Sequence, residues 1–591
     1  MKKIFIYLTI FAGITACSDL LEKTDLSGVD EKIWDNEATA TLNLNRIYDL
    51  AMPVYYSMRS STTLPVAIHT ASDESNLGNT KALYGQITVD DVNDFWGDNN
   101  NNAWTTIRKI NVLLEGIETG ALDDAAKNRI KGQALFLRAW VYFNLVKVYG
   151  GVPIITGAQD WVSDDLLVTR SKTSECINFI VGDLDQAAAL LAPGMPATQG
   201  VDRGRATKDT ALALKGRVLL YWASPQFNAT NDGARWELAY QANRVAYDTL
   251  VKHGYALYPK FADILTDEGT TNRETIMIRS YDGTNRPNTF ENGSRPFSES
   301  ANGGGGAQPT WELVKAFPMQ DGTPSMVNGV AANGFDTLYY WKNRDPRFAA
   351  TIAYNGSVWE LSGKTGRKQW NYVKVIDDNG KQTATGFYNR KGVNTKTTAV
   401  NAPLGTTDWV EMRLAEVMLN LAECANATDR IQEAYAMLTA IRQRAGIVNN
   451  NNYYGLDPAM DKATMFTAIM NERQIELAFE GKRYDDLRRT KTFDQLNGKR
   501  RHALQITANN IKALEQTDAN GVRLREKIDI NGPDYVTHFK PSYVSLDTQF
   551  PILFKPEYNF YGIPTTNLLR NTNLLQNPSW GSEGNVFNPL E

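Results

Sequence analysis

Between Gly132 and Pro153 the chain reads GQALFLRAWVYFNLVKVYGGVP, and no other stretch restricts the fold as much. Strong helix formers run as far as Gly150-Gly151 and Pro153 lies just beyond, so the pattern predicts a helix that stops at the glycine pair. At about 100° per residue, Gln133, Asn144 and Lys147 share one narrow sector, while Arg138 points well away from it. Leu135, Phe136, Trp140, Phe143, Val146 and Tyr149 occupy most of the remaining circumference. A helix this apolar must be covered on several sides, which places it within a stack of helices. Arg138 is then a buried cation, costly unless a carboxylate from another helix meets it. A structural ion pair is favoured over a ligand contact.

Amphipathic segments on either side supply the cover. Residues 33–50 (with Asp35 as an early cap), 103–118, 123–149, 173–191, 207–223 and 236–253 read as helices, broken by Pro193–Gly204 and by Ser224-Pro225. Helices resume at 413–425, 431–445 and 468–489. Their succession predicts stacked helix hairpins of the tetratricopeptide type. In 413–425, Arg413, Glu416, Asn420 and Glu423 form one polar stripe. Glu472, Glu476 and Glu480 repeat at four residues, which is repulsive unless cations intervene. Arg473 and Arg483 each lie three residues from one of them, so an ion-pair lattice is favoured over a carboxylate-lined metal or catalytic site.

Between the two helical blocks the character changes. Residues 279–309 are rich in Gly, Asn, Ser and Pro and predict a long surface loop. Residues 371–388, around Asp378-Asn379-Gly380, read as a β-hairpin. The expected organisation is a helical scaffold over 33–254 and 409–490, with loop-rich elaborations at 53–102, 255–408 and 491–591.

Of 591 residues, 42% are hydrophobic, enough for a core, and a net charge of -4 argues against nucleic acid. Cys176 and Cys424 fall in helical patterns where a small buried thiol is expected. The four histidines, His69, His253, His502 and His538, are dispersed and form no zinc-type pair. There is no Gly-x-Ser-x-Gly and no phosphate-binding glycine loop. No catalytic residues and no cofactor are expected; the sequence leaves calcium open. At the N-terminus, Lys2 and Lys3 precede an apolar run, 4–14, that is too short to span a bilayer and fits a signal peptide. The run ends in Ile14-Thr15-Ala16-Cys17 and resembles a bacterial lipobox. That predicts a lipoprotein signal peptide over 1–16, acylation of Cys17, and a tether over 17–32.

The residues also carry a family resemblance. GQALFLRAWVYFNLVKVYGGVPII is similar to the motif helix of the SusD/RagB family, and RLAEVMLNLAECAN from Arg413 resembles the family's second motif. ERQIELAFEGKRYDDLRR from Glu472 resembles the third. AFPMQDG (316–322), DPRF (345–348) and LLQNPSW (574–580) look like lobe and terminal motifs, although Gly562-Ile563-Pro564 stands where Pro-Ile-Pro is usual. The resemblance implies a mainly α fold of about four tetratricopeptide-like helix pairs, bearing a large loop-rich lobe with minor β structure and forming a single unit over 33–591. It also implies a surface lipoprotein, lipid-anchored in the outer membrane through Cys17, which captures nutrients for a SusC-like TonB-dependent transporter. Its ligand site lies in the variable half.

The expected cargo is a glycan. Sugar rings offer a C–H face to an aromatic side chain and a hydroxyl rim to Asp, Asn, Gln and Arg. Trp96 is the first choice of platform, next to Asn99 and Asn101 in the 99–102 asparagine run, with Asp73 placed beside it. Replacing Trp96 is then expected to weaken binding and leave melting little changed. Trp104 reads as core. Tyr281, Arg286 and Phe290 are further ligand-binding candidates from the variable loop, and Trp359 and Trp370 are left open. Peptide or glycoprotein-fragment cargo on the same architecture is the alternative, favouring an enclosed cleft over an aromatic platform. A glycoside hydrolase would need two carboxylates about 5 to 10 Å apart, and no pair stands out. A ligand-free tetratricopeptide scaffold is the remaining reading, and the lipobox counts against a cytosolic one.

Overall fold

The computed structural model describes residues 31–591 apart from 54–70, 77–79, 93–95, 97–102, 161, 195–201, 270, 307 and 582–585. The segment expected to be a signal peptide, Cys17 and most of the expected tether lie outside the described residues, as do Asn99 and Asn101.

Helix α1 (Glu37–Ala51) starts at Asn36, whose side chain accepts from the Ala38 and Thr39 amides. Asp35, expected as the cap, instead accepts from the Ala121 N–H at 2.9 Å, so it ties the entry of α1 to the end of α2 (Ala103–Thr119). Helix α3 (Asp124–Tyr149) is capped by Asp123 and stops at Gly150, where φ is +75°. Then come α4 (Thr173–Leu190), α5 (Lys208–Ala223) and α6 (Gly233–Lys252). From α2 to α6 each helix packs on the next, with α1 against α2 and α3. The chain leaves the stack and rejoins it with α7 (Leu414–Ala427), α8 (Ile431–Ala445) and α9 (Lys462–Glu476). Helix α7 packs on α5 and α6 behind it and on α8 and α9 ahead, which closes the two blocks into one helical scaffold.

As the apolar sequence of α3 requires, the helix is buried along almost its whole second half. Arg138 donates to both carboxylate oxygens of Asp183 on α4, at 2.7 and 2.8 Å, and to Asn111 on α2 at 3.0 Å. The polar sector is also enclosed: Lys147 reaches Asp485 at 2.9 Å and Gln133 accepts from the Tyr48 hydroxyl at 2.9 Å.

The predicted helix over 468–489 is broken. Helix α9 ends at Glu476 and α10 (Arg483–Arg489) begins after a turn in which Phe479 and Gly481 take φ of +61° and +72°. The glutamate ladder is an ion-pair lattice, but its cations come from elsewhere in the chain. Glu472 receives Arg347 at 2.6 Å and Arg442 at 2.8 Å; Glu476 receives Arg413 at 2.7 Å, Arg347 and Arg444; Glu480 receives Arg413 at 2.8 Å and Lys391 at 2.6 Å. Arg473 turns instead to Asp486 and Asn420, and Arg483 to Asp73. The stripe on α7 is likewise buried: Glu416 pairs with Arg217 and Glu423 with Arg489. Arg413 itself closes a strand, so the helix starts one residue later than expected.

Strands are few. β1 (Thr275–Arg279) runs antiparallel to β2 (Trp409–Arg413), with Arg279 opposite Trp409 and Thr275 opposite Arg413. β3 (His502–Ala508) pairs with β4 (Phe539–Ser545), with Phe539 opposite Ala508 and Ser545 opposite His502. The expected hairpin over 371–388 does not form. Asn379 and Gly380 make the positive-φ turn their sequence favours, yet 388–389 pairs with 352–353, and Tyr372 bridges to Ile506. The lobe has its own aromatic core, with Trp311, Tyr340, Trp341, Phe348, Trp370 and Phe387 packed against Leu504 and Ile506 of β3 and Phe539 of β4. Nor is 279–309 simply surface: Phe290–Ser294 is a short helix, and Glu291 and Arg295 within this stretch form a sealed ion pair at 2.9 Å.

Candidate functional site

Helix α2 begins at Ala103, so Trp104 lies in its first turn, where neighbouring helices leave part of the ring uncovered. Beside it opens a cleft of about 360 Å³, walled by α2, by the loop 153–168 and by the C-terminal stretch 567–574. Trp96 forms the back of this wall. It is 5% exposed, its ring centroid is 5.0 Å from that of Trp104 at 58°, and it stands edge-on to Tyr149 at 5.2 Å. Tyr142 meets Trp104 edge-on from α3. The two indoles therefore divide the work: Trp96 is clamped between α2 and α3, and Trp104 presents a braced ring to the opening.

The polar lining suits hydroxyl groups. Arg108, Gln159, Arg570 and Asn571 stand around the mouth, and Asn571 also donates to the Val168 carbonyl at 2.9 Å, which ties the C-terminal stretch to the loop. Two donors in lining residues, Trp104 Nε1 and Asn567 Nδ2, are buried with no acceptor among the described residues. No Asp, Glu, His or Cys is among the described lining residues. The cleft can hold and orient a ligand.

The structure does not gather the described residues among those picked from sequence into one site. Asp73 is buried and both of its carboxylate oxygens accept from Arg483, at 2.8 and 2.7 Å. Burial would raise its pKa, but Arg483 outweighs that and holds the group below the usual carboxylate range. Asp73 thus fastens the 71–76 segment to α10 and does not line the cleft beside Trp96. Phe290 is core, in a small cluster with Trp359, Tyr388 and Trp409; Tyr281 packs on that cluster and donates its N–H to Asp408 at 2.9 Å. Trp359 and Trp370 are 1% and 3% exposed, too covered to act as platforms. Arg286 lines a separate pocket of about 240 Å³ and shares Asp49 with Arg279. Trp104, expected in the core, is the partly open ring. Nothing local in sequence signals that 567–574 folds back onto the start of α2.

Among the described residues no cluster of His, Cys, Asp and Glu has the makings of a metal site. His253 is paired with Asp209 and His502 with Glu312, while Cys176 and Cys424 are buried free thiols. Burial pushes the Cys176 thiol up to about 11, which leaves it unreactive at neutral pH.

Family models match both halves of the chain: one described as the SusD family over residues 273–580, the other as "starch-binding associating with outer membrane" over 22–220. SusD-like protein P38 of Formosa agariphila is 24% identical over 501 residues, covering 82% of this chain and 90% of the relative. A SusD-like protein of Bacteroides ovatus is 23% identical over 510 residues, covering 82% of each. Among solved structures, a SusD-like protein from Bacteroides fragilis superposes with a TM-score of 0.73 at 26% identity, over 93% of this chain and 98% of that one. A laminarin-binding SusD-like protein gives a TM-score of 0.59 at 19% identity, over 92% of this chain and all of that one.

Proposed function

The chain belongs to the SusD/RagB family, and from that premise we propose that it captures a glycan at the cell surface and passes it to a SusC-like TonB-dependent outer-membrane transporter. The observation that carries the reading is the Trp104 cleft: a braced indole for the C–H face of a sugar, and a rim of Arg, Gln and Asn for hydroxyls. The proposed act is capture without cleavage. A protein that hands its cargo on needs only modest affinity, and one stacking ring with a few polar contacts supplies that.

Affinity electrophoresis on gels containing a panel of polysaccharides, laminarin among them, tests the capture step. At least one glycan should retard the protein, and Trp104→Ala should weaken that retention by about tenfold, the equivalent of one stacking contact of ~1.4 kcal/mol. Indifference to every glycan, with calorimetric binding of peptides instead, would move the cargo to the peptide class. Acylation at Cys17 is proposed as the anchor. Metabolic labelling with a fatty-acid analogue should mark the wild type and miss Cys17→Ala. Co-purification with a TonB-dependent transporter from detergent-solubilised outer membranes tests the delivery step.

A further inference from the structure

A second cavity, of about 480 Å³, lies away from the Trp104 cleft and shares none of its lining residues. One wall is the 258–267 segment just after α6, and the other is the turn 390–396 of the lobe. That turn is firmly held. Arg390 N–H donates to the Thr351 carbonyl at 2.9 Å, Asn394 N–H donates to Glu291 at 2.7 Å, and Arg295 donates to the carbonyls of Asn394 and Thr397 at 2.6 and 2.7 Å. Arg390 and Lys396 rise from it into the cavity lining, and Lys260 lines the other wall.

The charges are arranged unevenly. Arg390 is half-buried, and burial pulls its pKa below the usual arginine value, yet no carboxylate lies within ion-pair distance of it among the described residues. Its side chain has a single acceptor there, the Val358 carbonyl at 3.1 Å. Other enclosed guanidinium groups are better satisfied: those at positions such as 138, 217, 347 and 413 meet carboxylates, and those of Arg170, Arg344 and Arg488 each have at least three oxygen acceptors. On the opposite wall Asp267 is already engaged, accepting from the Tyr258 and Thr271 hydroxyls at 2.5 and 3.1 Å; Asp263 and Thr266 stand beside it. A planar guanidinium with free donors fits a carboxylate or sulfate, and partial desolvation strengthens the attraction. The Asp263, Thr266 and Asn394 side chains suit hydroxyls.

We propose that this cavity is a second saccharide subsite, selective for a sugar unit that carries an anionic substituent, with Arg390 and Lys396 on the anion and the 258–267 wall on the hydroxyls. The inference rests on the reading of the protein as a glycan binder. Calorimetry on the full mature chain would use a glucuronate-containing disaccharide, a sulfated disaccharide and an uncharged disaccharide. At least one charged probe should bind at least tenfold more tightly than the uncharged one and weaken as salt is raised; which of the two wins identifies the acid group. Arg390→Gln with Lys396→Gln should remove that preference and leave retention by neutral glycans at the Trp104 cleft intact, which also shows that the variant is folded. Trp104→Ala should leave the charged probe bound. The inference is overturned if neither charged probe is preferred, if the preference survives in the double variant, or if Trp104→Ala abolishes it. Intact neutral-glycan capture in those cases would leave the main reading standing.

Discussion

Arg138 shows how one residue's cost shapes its surroundings. A guanidinium inside α3 must find a carboxylate, and Asp183 supplies both oxygens from α4. Arg138→Met strands that carboxylate in the stack and should cost about 3–5 kcal/mol, read by urea denaturation; adding Asp183→Leu should restore most of it. At the tryptophans, the sequence reading made Trp96 the platform and placed Trp104 in the core, whereas the structure covers Trp96 and leaves Trp104 partly open. Trp96 is 5% exposed, so Trp96→Ala should lower stability by about 3 kcal/mol or more, contrary to the expectation that melting would hardly change. Trp104→Ala should act chiefly on glycan retention, with a smaller loss in melting temperature. Comparing the two variants by calorimetry and affinity electrophoresis separates brace from platform. The two rings differ in exposure, and exposure depends on which elements cover a side chain.

Helices were legible because their apolar period, caps and glycine stops are local. α3 ends at Gly150 and α8 at Gly446, φ +82°, where the sequence placed them. Where a neighbour intervened, local reading failed. The 468–489 pattern is helical throughout, yet the chain turns at Phe479 and Gly481, and this lets Glu480 face Arg413 and Lys391. The 371–388 segment has a hairpin turn but finds its strand partners elsewhere, which no alternation of residues can reveal. Close helix contact is equally invisible from one segment. A Cβ on Gly216 of α5 would lie 2.5 Å from Asn243 Oδ1 on α6, where Asn243 donates to the Gly216 carbonyl at 3.0 Å. Gly216→Ala should therefore destabilise by roughly 1–3 kcal/mol through displacement of that side chain, measurable as a drop in denaturation midpoint.

Across the whole molecule, the scaffold and lobe are joined through charge. Arg347 and Lys391 from the lobe meet the α9–α10 carboxylates that Arg413, Arg442 and Arg444 also hold. Burial would raise Glu472, Glu480 and Asp486, but the surrounding cations outweigh it and keep all three low; the same balance holds Glu411 at about 2. Groups depressed on folding contribute stability that is present above the unfolded carboxylate pKa, about 4.5, and lost as pH falls through the folded values. Burial instead pushes Glu74 and Glu268 up to about 7, and their contribution is lost as pH rises from about 4.5 through 7. Melting temperature should accordingly collapse between pH 4.5 and 2 and decline gently between 4.5 and 7, with Glu74→Gln flattening the gentle slope.

By itself the sequence determined most of the helices, the burial of Arg138 and the need for cations around the glutamate ladder, because each is written in the spacing of neighbouring residues; the family was legible separately, in motifs that resemble those of its members. Tertiary structure alone decided which cations reach that ladder, that Asp73 serves Arg483, and that a cleft forms where 567–574 meets Trp104. Those outcomes bring together residues remote in sequence, and only the folded chain sets how near they lie and how much water is left between them.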